Sequence, residues 1–193
     1  MAEAVQKKCK IGKISFYTVV IILALIIISY FIIQAYVKKS LPQVEGEVQI
    51  PVQQDVIVTT DENGVPHIEA ETLEDLYTAQ GYVQAQSRMF QMDLSRRQAS
   101  GMLSELIGEA SLSSDQYFRT LGLRRAAEKS IDMYSDEALD VLEWFSNGVN
   151  AYIDEATEDG TLPIEYMFIG AEPAEWTPLD SLTIGKYMAF DLG

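Results

Sequence analysis

Cysteine is nearly absent from this chain of 193 residues: Cys9 stands alone. A disulfide framework is therefore excluded. Histidine is equally scarce, with His67 the only one, so a paired-histidine metal motif such as H-E-x-x-H cannot be present. The glycine patterns that cradle phosphates, G-x-x-x-x-G-K-[ST] and G-x-G-x-x-G, are missing too. Basic residues thin out after the first 40 positions. From Leu41 onward 28 acids face 8 bases, about −20 of charge within a total of −15. A body this acidic repels phosphate backbones, so nucleic-acid binding is disfavoured. Acidity by itself supports solubility and says nothing more specific. What remains, 48% hydrophobic and 22% charged, is a globular composition of about one domain with an appendage.

The appendage is N-terminal. Residues 14–37 carry no charge, and Val19 to Ile28 is apolar throughout. About 20 such residues cross a bilayer as a helix. A cleaved signal peptide is the alternative, but its apolar region is usually about 7–15 residues. Gln34-Ala35-Tyr36-Val37 also makes a poor cleavage site. The expectation is a retained signal-anchor, flanked by Lys7, Lys8, Lys10 and Lys13 before it and Lys38 and Lys39 after it. The excess of lysine ahead of the span places residues 1–13 in the cytoplasm and residues 40–193 outside a cell membrane. Tyr17, Tyr30 and Tyr36 are spaced for the two interfaces. Cys9, on the cytoplasmic side, reads as an incidental thiol in preference to an S-palmitoylation site.

Residues 38–53, with Pro42, Gly46 and Pro51, read as a stalk. Residues 55–60 are β-branched and predict a strand. Asp61-Glu62-Asn63-Gly64 supplies an Asn-Gly turn with positive φ expected at both central residues, and residues 65–70 return as a strand. Thr72 with Asp75 then resembles a capping box opening a long helix. Leu73, Leu76, Val83, Phe90 and Leu94 form its expected buried stripe, widened by Tyr77, Tyr82, Ala85, Met89 and Met92. Gly81 inside that helix implies close packing, and Gly101 ends it. Shorter helices follow at 103–107, 114–122 and on to Met133. Ser135 caps another, with a core face of Ala138, Val141, Leu142, Phe145, Val149, Tyr152 and Ile153. A final helix starts near Leu179. The chain ends inside an apolar helical stretch, and two strands alone make no stable sheet. Both points read as a piece of a larger protein.

Chemistry is sparse. His67 is conceivable as a general base, but a hydrogen-bonded structural histidine is the simpler reading. The acidic pairs Glu74/Asp75, Asp136/Glu137, Asp154/Glu155 and Glu158/Asp159 read as solvated surface. Arg88 falls between apolar positions and is expected to be buried and paired. From the residues alone there is no self-sufficient active site.

An ordered series of motifs nevertheless stands out. Val65-Pro66-His67-Ile68 follows Asp61-x-x-Gly64. Gly81-Tyr82-Val83-x-Ala85-Gln86-x-Arg88-x-x-Gln91-Met92 comes next, then Arg96-Arg97-x-x-x-Gly101-x-x-x-Glu105-x-x-Gly108. Arg119-x-x-Gly122, Gly148-Val149-Asn150-Ala151-Tyr152-Ile153 and Trp176-x-Pro178-x-Asp180 complete it. Over residues 54–193 this series resembles the α-chain region of the penicillin acylases, a family of N-terminal nucleophile hydrolases that includes acyl-homoserine-lactone and cephalosporin acylases.

The resemblance implies an α+β fold: a transmembrane helix, then the mainly helical α-chain part, with its hairpin, of an αββα sandwich that is incomplete without a β-chain. It implies a self-cleaving precursor whose β-chain begins with a nucleophilic Ser C-terminal to Gly193, with that residue's own α-amine as base. The reaction would be hydrolysis of a linear amide in a penicillin, an acyl-homoserine lactone or a similar N-acyl amine, with no catalytic residue and no metal ligand in this chain. Calcium is allowed by the resemblance, with ligands outside this chain. Met188 and Leu192 align with the family's acyl pocket; core packing is the competing reading. Asp191 stands where well-known members have an arginine, which puts a penicillin G-like specificity in doubt. Ser87 replaces the usual Asp before Arg88, a local stability cost. The alternatives are a membrane-anchored binding module without catalysis and a truncated pseudo-enzyme.

Overall fold

The computed structural model describes the backbone of residues 2–41 and 45–193 and the side chains from Phe16 onward. Cys9, the lysines ahead of the apolar run, and Pro42 of the stalk fall outside the described side chains. Contacts divide the chain into Met1–Leu41 and Pro42–Gly193. The first unit is one helix, α1 (Ala2–Lys39), and its Phe16–Lys39 stretch is long and apolar enough to cross a membrane. Its large apolar side chains are exposed on every side, unlike the single buried stripe of a surface helix. Lys38 and Lys39 occupy its last turn, where cations meet the negative end of the helix dipole.

The second unit is mainly helical, with one small sheet. Strands β1 (Ile57–Thr60) and β2 (Pro66–Glu69) pair antiparallel, Ile57 opposite Glu69 and Thr60 opposite Pro66. The turn differs from expectation. Only Gly64 has positive φ, 79°, and Asn63 does not. Gly64 N–H bonds to Asp61 O at 3.0 Å, while the Asp61 carboxylate accepts from Asn63 and Val65 N–H, each at 2.9 Å. The side chain of Asp61 therefore organises a four-residue turn with one left-handed glycine, and the two-residue mirror turn is not needed. The Val65 bond holds the Asp61 carboxyl below its usual range; burial opposes it, and the bonds from Asn63 and His67 add to the lowering.

Helices α2 (Leu73–Ser100), α3 (Ser104–Ile107), α4 (Leu112–Leu121) and α5 (Leu123–Ser130) follow, then α6 (Asp136–Asp159), α7 (Ile164–Ile169) and α8 (Pro178–Asp191). The caps are legible locally. Thr72 Oγ1 accepts from Asp75 N–H at 3.1 Å, and Ser135 Oγ from Ala138 N–H at 3.3 Å. Gly101 closes α2 at φ 67°, with Met102 N–H bonded to Arg97 O and Gly101 N–H to Gln98 O. The short helix α7, between Pro163 and Gly170, has no counterpart in the expected elements.

The interior centres on α2 crossing α6. Tyr82, Ala85, Met89 and Met92 pack against Val149, Tyr152, Ile153 and Ala156, closed by Tyr166 and Trp176. The expected stripe of α2 is displaced. Leu73 is 62% exposed, and Leu76, Val83, Phe90 and Leu94 are only partly buried. The innermost face carries Asp75, Thr78, Ala79, Ala85 and Asp93 instead. The reason is covering: α6 and α8 press on the face of small residues, where backbones approach closely. Two glycines permit that approach. A Cβ on Gly148 would run into the Thr78 carbonyl oxygen, and one on Gly81 into that of Phe145.

Three interior tyrosines set an alkaline limit. Burial raises Tyr82, helped by its 2.7 Å hydrogen bond to Glu155 and by that residue's charge. Burial, with Glu155 again, pushes Tyr152 up to about 12. Burial also raises Tyr166, reinforced by the charge and hydrogen bond of Asp93. An unfolded chain releases these protons near pH 10, while the native state holds them. Their contribution is complete below about pH 10 and is lost as pH rises through the raised values. Tm is expected to fall steeply between about pH 10 and 12, and Tyr82→Phe should shallow that slope. A flat Tm profile across this range would refute the assignment.

Candidate functional site

The functional geometry is built around a buried polar network on α2. Asp93, fully buried, accepts from Arg96 Nε at 2.7 Å and Arg97 Nε at 3.0 Å through Oδ1, and from Tyr166 OH at 3.0 Å through Oδ2. Arg96 reaches on from there. It donates to the carbonyls of Glu175 at 2.8 Å and Ala174 at 2.7 Å, lies 5.2 Å over the Trp176 ring, and has Asp180 at 3.6 Å. One guanidinium thus clasps the segment that leads into α8. A planar fork with several donors suits this; an ammonium does not.

The lead-in is held from its other side by α6. Asn150 receives Trp176 N–H at 2.7 Å and donates to Trp176 O at 2.9 Å. Trp176 Nε1 donates to Ser181 Oγ at 3.0 Å. Asp180 accepts from Thr177 N–H at 2.9 Å, closing the first turn of α8, and from Arg124 Nη1 of α5 at 2.8 Å. Pro178 sits in that turn, where its missing N–H costs nothing. A second anchor ties α4 to the end of α2. Arg119 Nε donates to Gly101 O at 2.6 Å, and Asp115 accepts from Leu103 and Ser104 N–H, both at 2.8 Å. Burial pushes the Asp115 carboxyl up, but the bonds from Ser104 and Leu103, with the charge of Arg119, more than offset it and leave it lowered.

These contacts show what the motif residues do. Arg96, Asn150, Trp176 and Asp180 fix the start of α8 against α2, α5 and α6, while Gly101 and Arg119 join α4 to α2 and Gly148 lets α6 close on α2. At the far end of α8 stand Met188, 55% exposed, and Leu192, 83% exposed, with Leu192 N–H bonded to Met188 O at 3.1 Å. Neither is core within this chain. Met188 lies in the last turn of α8 and Leu192 caps it.

Two expectations are corrected. Asp75 is not solvated surface: it is fully buried and accepts from Gln53 N–H at 2.7 Å and Thr72 Oγ1 at 2.8 Å, tying the lead-in segment to α2. Arg88 is neither buried nor paired. It is exposed, and its φ −154° and ψ 34° interrupt α2 with a kink. It lies on a groove of about 480 Å³, whose apolar floor comes from Val141, Leu142 and Phe145 of α6 with Trp176 and Ile184. The polar network around Asp93 was missed from sequence, although an acid three and four residues ahead of two arginines is the ion-pair spacing of a helix. His67 is 60% exposed and lies 3.7 Å from Asp61, an ornament of the turn. Among the described residues, no group of three or more His, Cys, Asp or Glu is placed to hold a metal.

The sequence profile described as Penicillin amidase matches residues 55–193. Penicillin acylase 2 proenzyme of Pseudomonas sp. (strain SE83) is 36% identical over 155 residues, 80% of this chain and 20% of that protein. Acyl-homoserine lactone acylase QuiP of Pseudomonas aeruginosa is 34% identical over 154 residues, 79% of this chain and 18% of that protein. This chain therefore spans about a fifth of the length of the curated relatives it matches. A solved thermostable penicillin G acylase from Alcaligenes faecalis superposes with a TM-score of 0.66 at 30% identity, covering 72% of this chain and 74% of that one. Motif order, profile match and superposition agree, and the chain belongs to the penicillin amidase family.

Proposed function

We propose that this chain is the N-terminal, α-chain portion of a self-processing acylase precursor that hydrolyses a linear amide in an N-acyl amine, such as a penicillin or an acyl-homoserine lactone. The observation that carries the reading is the hairpin. All its residues but Ile68 are exposed, with Ile57 and Val58 among the exposed apolar side chains. Two such strands are marginal on their own, and further strands from a β-chain would complete an αββα sandwich. The proportions support it: the chain covers 20% of a relative named a proenzyme but 74% of a solved acylase chain.

In this reading the nucleophile is the first residue of the β-chain, a Ser C-terminal to Gly193. Its own amine takes the hydroxyl proton, the carbonyl carbon of the amide is attacked, and the amine leaves with that proton. Water then releases the carboxylic acid. The residues of this chain position and select. The Asp93–Arg96–Asp180 network holds α8, and Met188 and Leu192 present apolar surface to the acyl group. Residues 14–37 anchor the enzyme in the cell membrane, with residues 1–13 cytoplasmic, 38–53 a stalk and 54–193 outside.

Intact mass and N-terminal sequencing of proteins copurifying with this chain from native membranes test the reading. A second chain of several hundred residues beginning with Ser, and hydrolysis of N-acyl amides by the pair, are expected. Recovery of this chain alone, without amide hydrolysis, would overturn the proposal in favour of a binding module or pseudo-enzyme.

A further inference from the structure

The groove beside the α2 kink has a composition at odds with its surroundings. The body carries 28 acids and 8 bases beyond Leu41, yet no carboxylate lines the groove and one arginine does. The chain has six arginines. Arg96, Arg97, Arg119, Arg124 and Arg125 are each engaged in hydrogen bonds or ion pairs. Among the described residues Arg88 is the one arginine with no such partner within the chain. It sits where α2 is interrupted, at the mouth of a recess of about 480 Å³ floored by Phe145, Trp176 and Ile184.

We infer that this groove seats a segment of the partner β-chain that presents a single carboxylate to Arg88 and inserts a neighbouring apolar side chain over Phe145 and Trp176. The inference rests on the two-chain reading above. Charge complementarity selects the occupant. A guanidinium binds a carboxylate with paired, directional hydrogen bonds. An acidic run would be repelled by the rest of the body, so one carboxylate flanked by apolar residues fits where a string of them does not. The recess has the volume for one large side chain and its neighbours, and it lies beside the clasped lead-in to α8. Docking there would therefore brace the helix that carries Met188 and Leu192.

The test uses the full-length gene product in its membrane. A photo-crosslinking amino acid replaces Gln84, an exposed residue on the groove rim, and Arg88→Glu is compared with Arg88→Lys. The expected result is an adduct joining the two chains, mapped within a few residues of an Asp or Glu of the β-chain. After a high-salt wash, Arg88→Glu should retain roughly 10-fold less β-chain or worse, and Arg88→Lys most of it. Arg88 makes no ion pair inside this chain, so neither variant removes a contact needed for its own fold. Two chains that copurify without an adduct at Gln84, with Arg88→Glu retaining the β-chain normally, overturn the groove assignment and leave the two-chain reading standing. An adduct to lipid or to a second copy of this chain overturns it in favour of that occupant. Absence of any second chain overturns both readings.

Discussion

Asp93→Ala is expected to cost about 3–5 kcal/mol, the loss that follows when a buried charge is stripped of its partner. Asp93 is fully buried and is the shared acceptor of Arg96, Arg97 and Tyr166. Arg96 itself is nearly buried and cannot swing to water without releasing Ala174 and Glu175. Arg97 loses less, because Glu105 holds its Nη1 at 2.9 Å near the surface. The Tyr166 hydroxyl would be left buried with no acceptor, a further cost on the order of 1–3 kcal/mol already overlapping with the first. Asp93→Asn keeps the size and one acceptor oxygen, so it should lose distinctly less. Thermal unfolding of the detergent-solubilised protein checks the order: wild type, then Asn, then Ala. A double-mutant cycle with Tyr166→Phe should show coupling of about 0.5–3 kcal/mol. Equal Tm values for wild type and Asp93→Ala would show that the network carries no stability.

Gly148→Ala is expected to destabilise by about 2 kcal/mol or more, although alanine is the better helix former. Helix propensity favours Ala by about 1 kcal/mol. Packing opposes it by about 3 kcal/mol or more, because the added methyl meets backbone, which cannot rotate away. The Thr78 carbonyl and the Tyr82 nitrogen, 2.9 Å from that methyl, belong to the facing helix. Relief requires α2 and α6 to move apart, and that loosens contacts of Met89, Tyr152 and Ile153 along the core. Gly81→Ala meets the Phe145 carbonyl and should behave alike. Gly185→Ala is the control of opposite sign. It lies in α8, is exposed, and has nothing near its would-be Cβ, so propensity acts alone and should raise stability by about 1 kcal/mol. Measured Tm shifts of one sign for Gly148→Ala and Gly185→Ala would defeat the argument.

Much of this protein was legible because its signals are local. The apolar run of residues 14–37, the Thr72 and Ser135 caps, and the helix ends at Gly101 and Gly122 each depend on a few adjacent residues. They appear as α1, as the starts of α2 and α6, and as helix ends. The motif series was legible too, and its order identifies the family. Within this chain Arg96, Asn150, Trp176 and Asp180 of that series hold helices together.

The errors share one cause. Counting apolar residues at helical spacing supposes that α2 has one covered face. Here α6, α8 and α4 cover the helix from several directions, so Thr78, Asp93 and Arg96 are inside and Leu73 is outside. The same counting places Arg88 in the interior, and charge alone places Asp75 on the surface, both against the structure. Contiguous runs and ordered motifs suffice for a helix able to span a membrane, a hairpin followed by helices, and membership of the penicillin amidase family. Which charges are buried, which arginine is left without a partner, and that Met188 and Leu192 are exposed are matters of packing between elements. Each of these depends on which elements, distant in sequence, cover a given face, and periodicity within one helix carries no information about its neighbours.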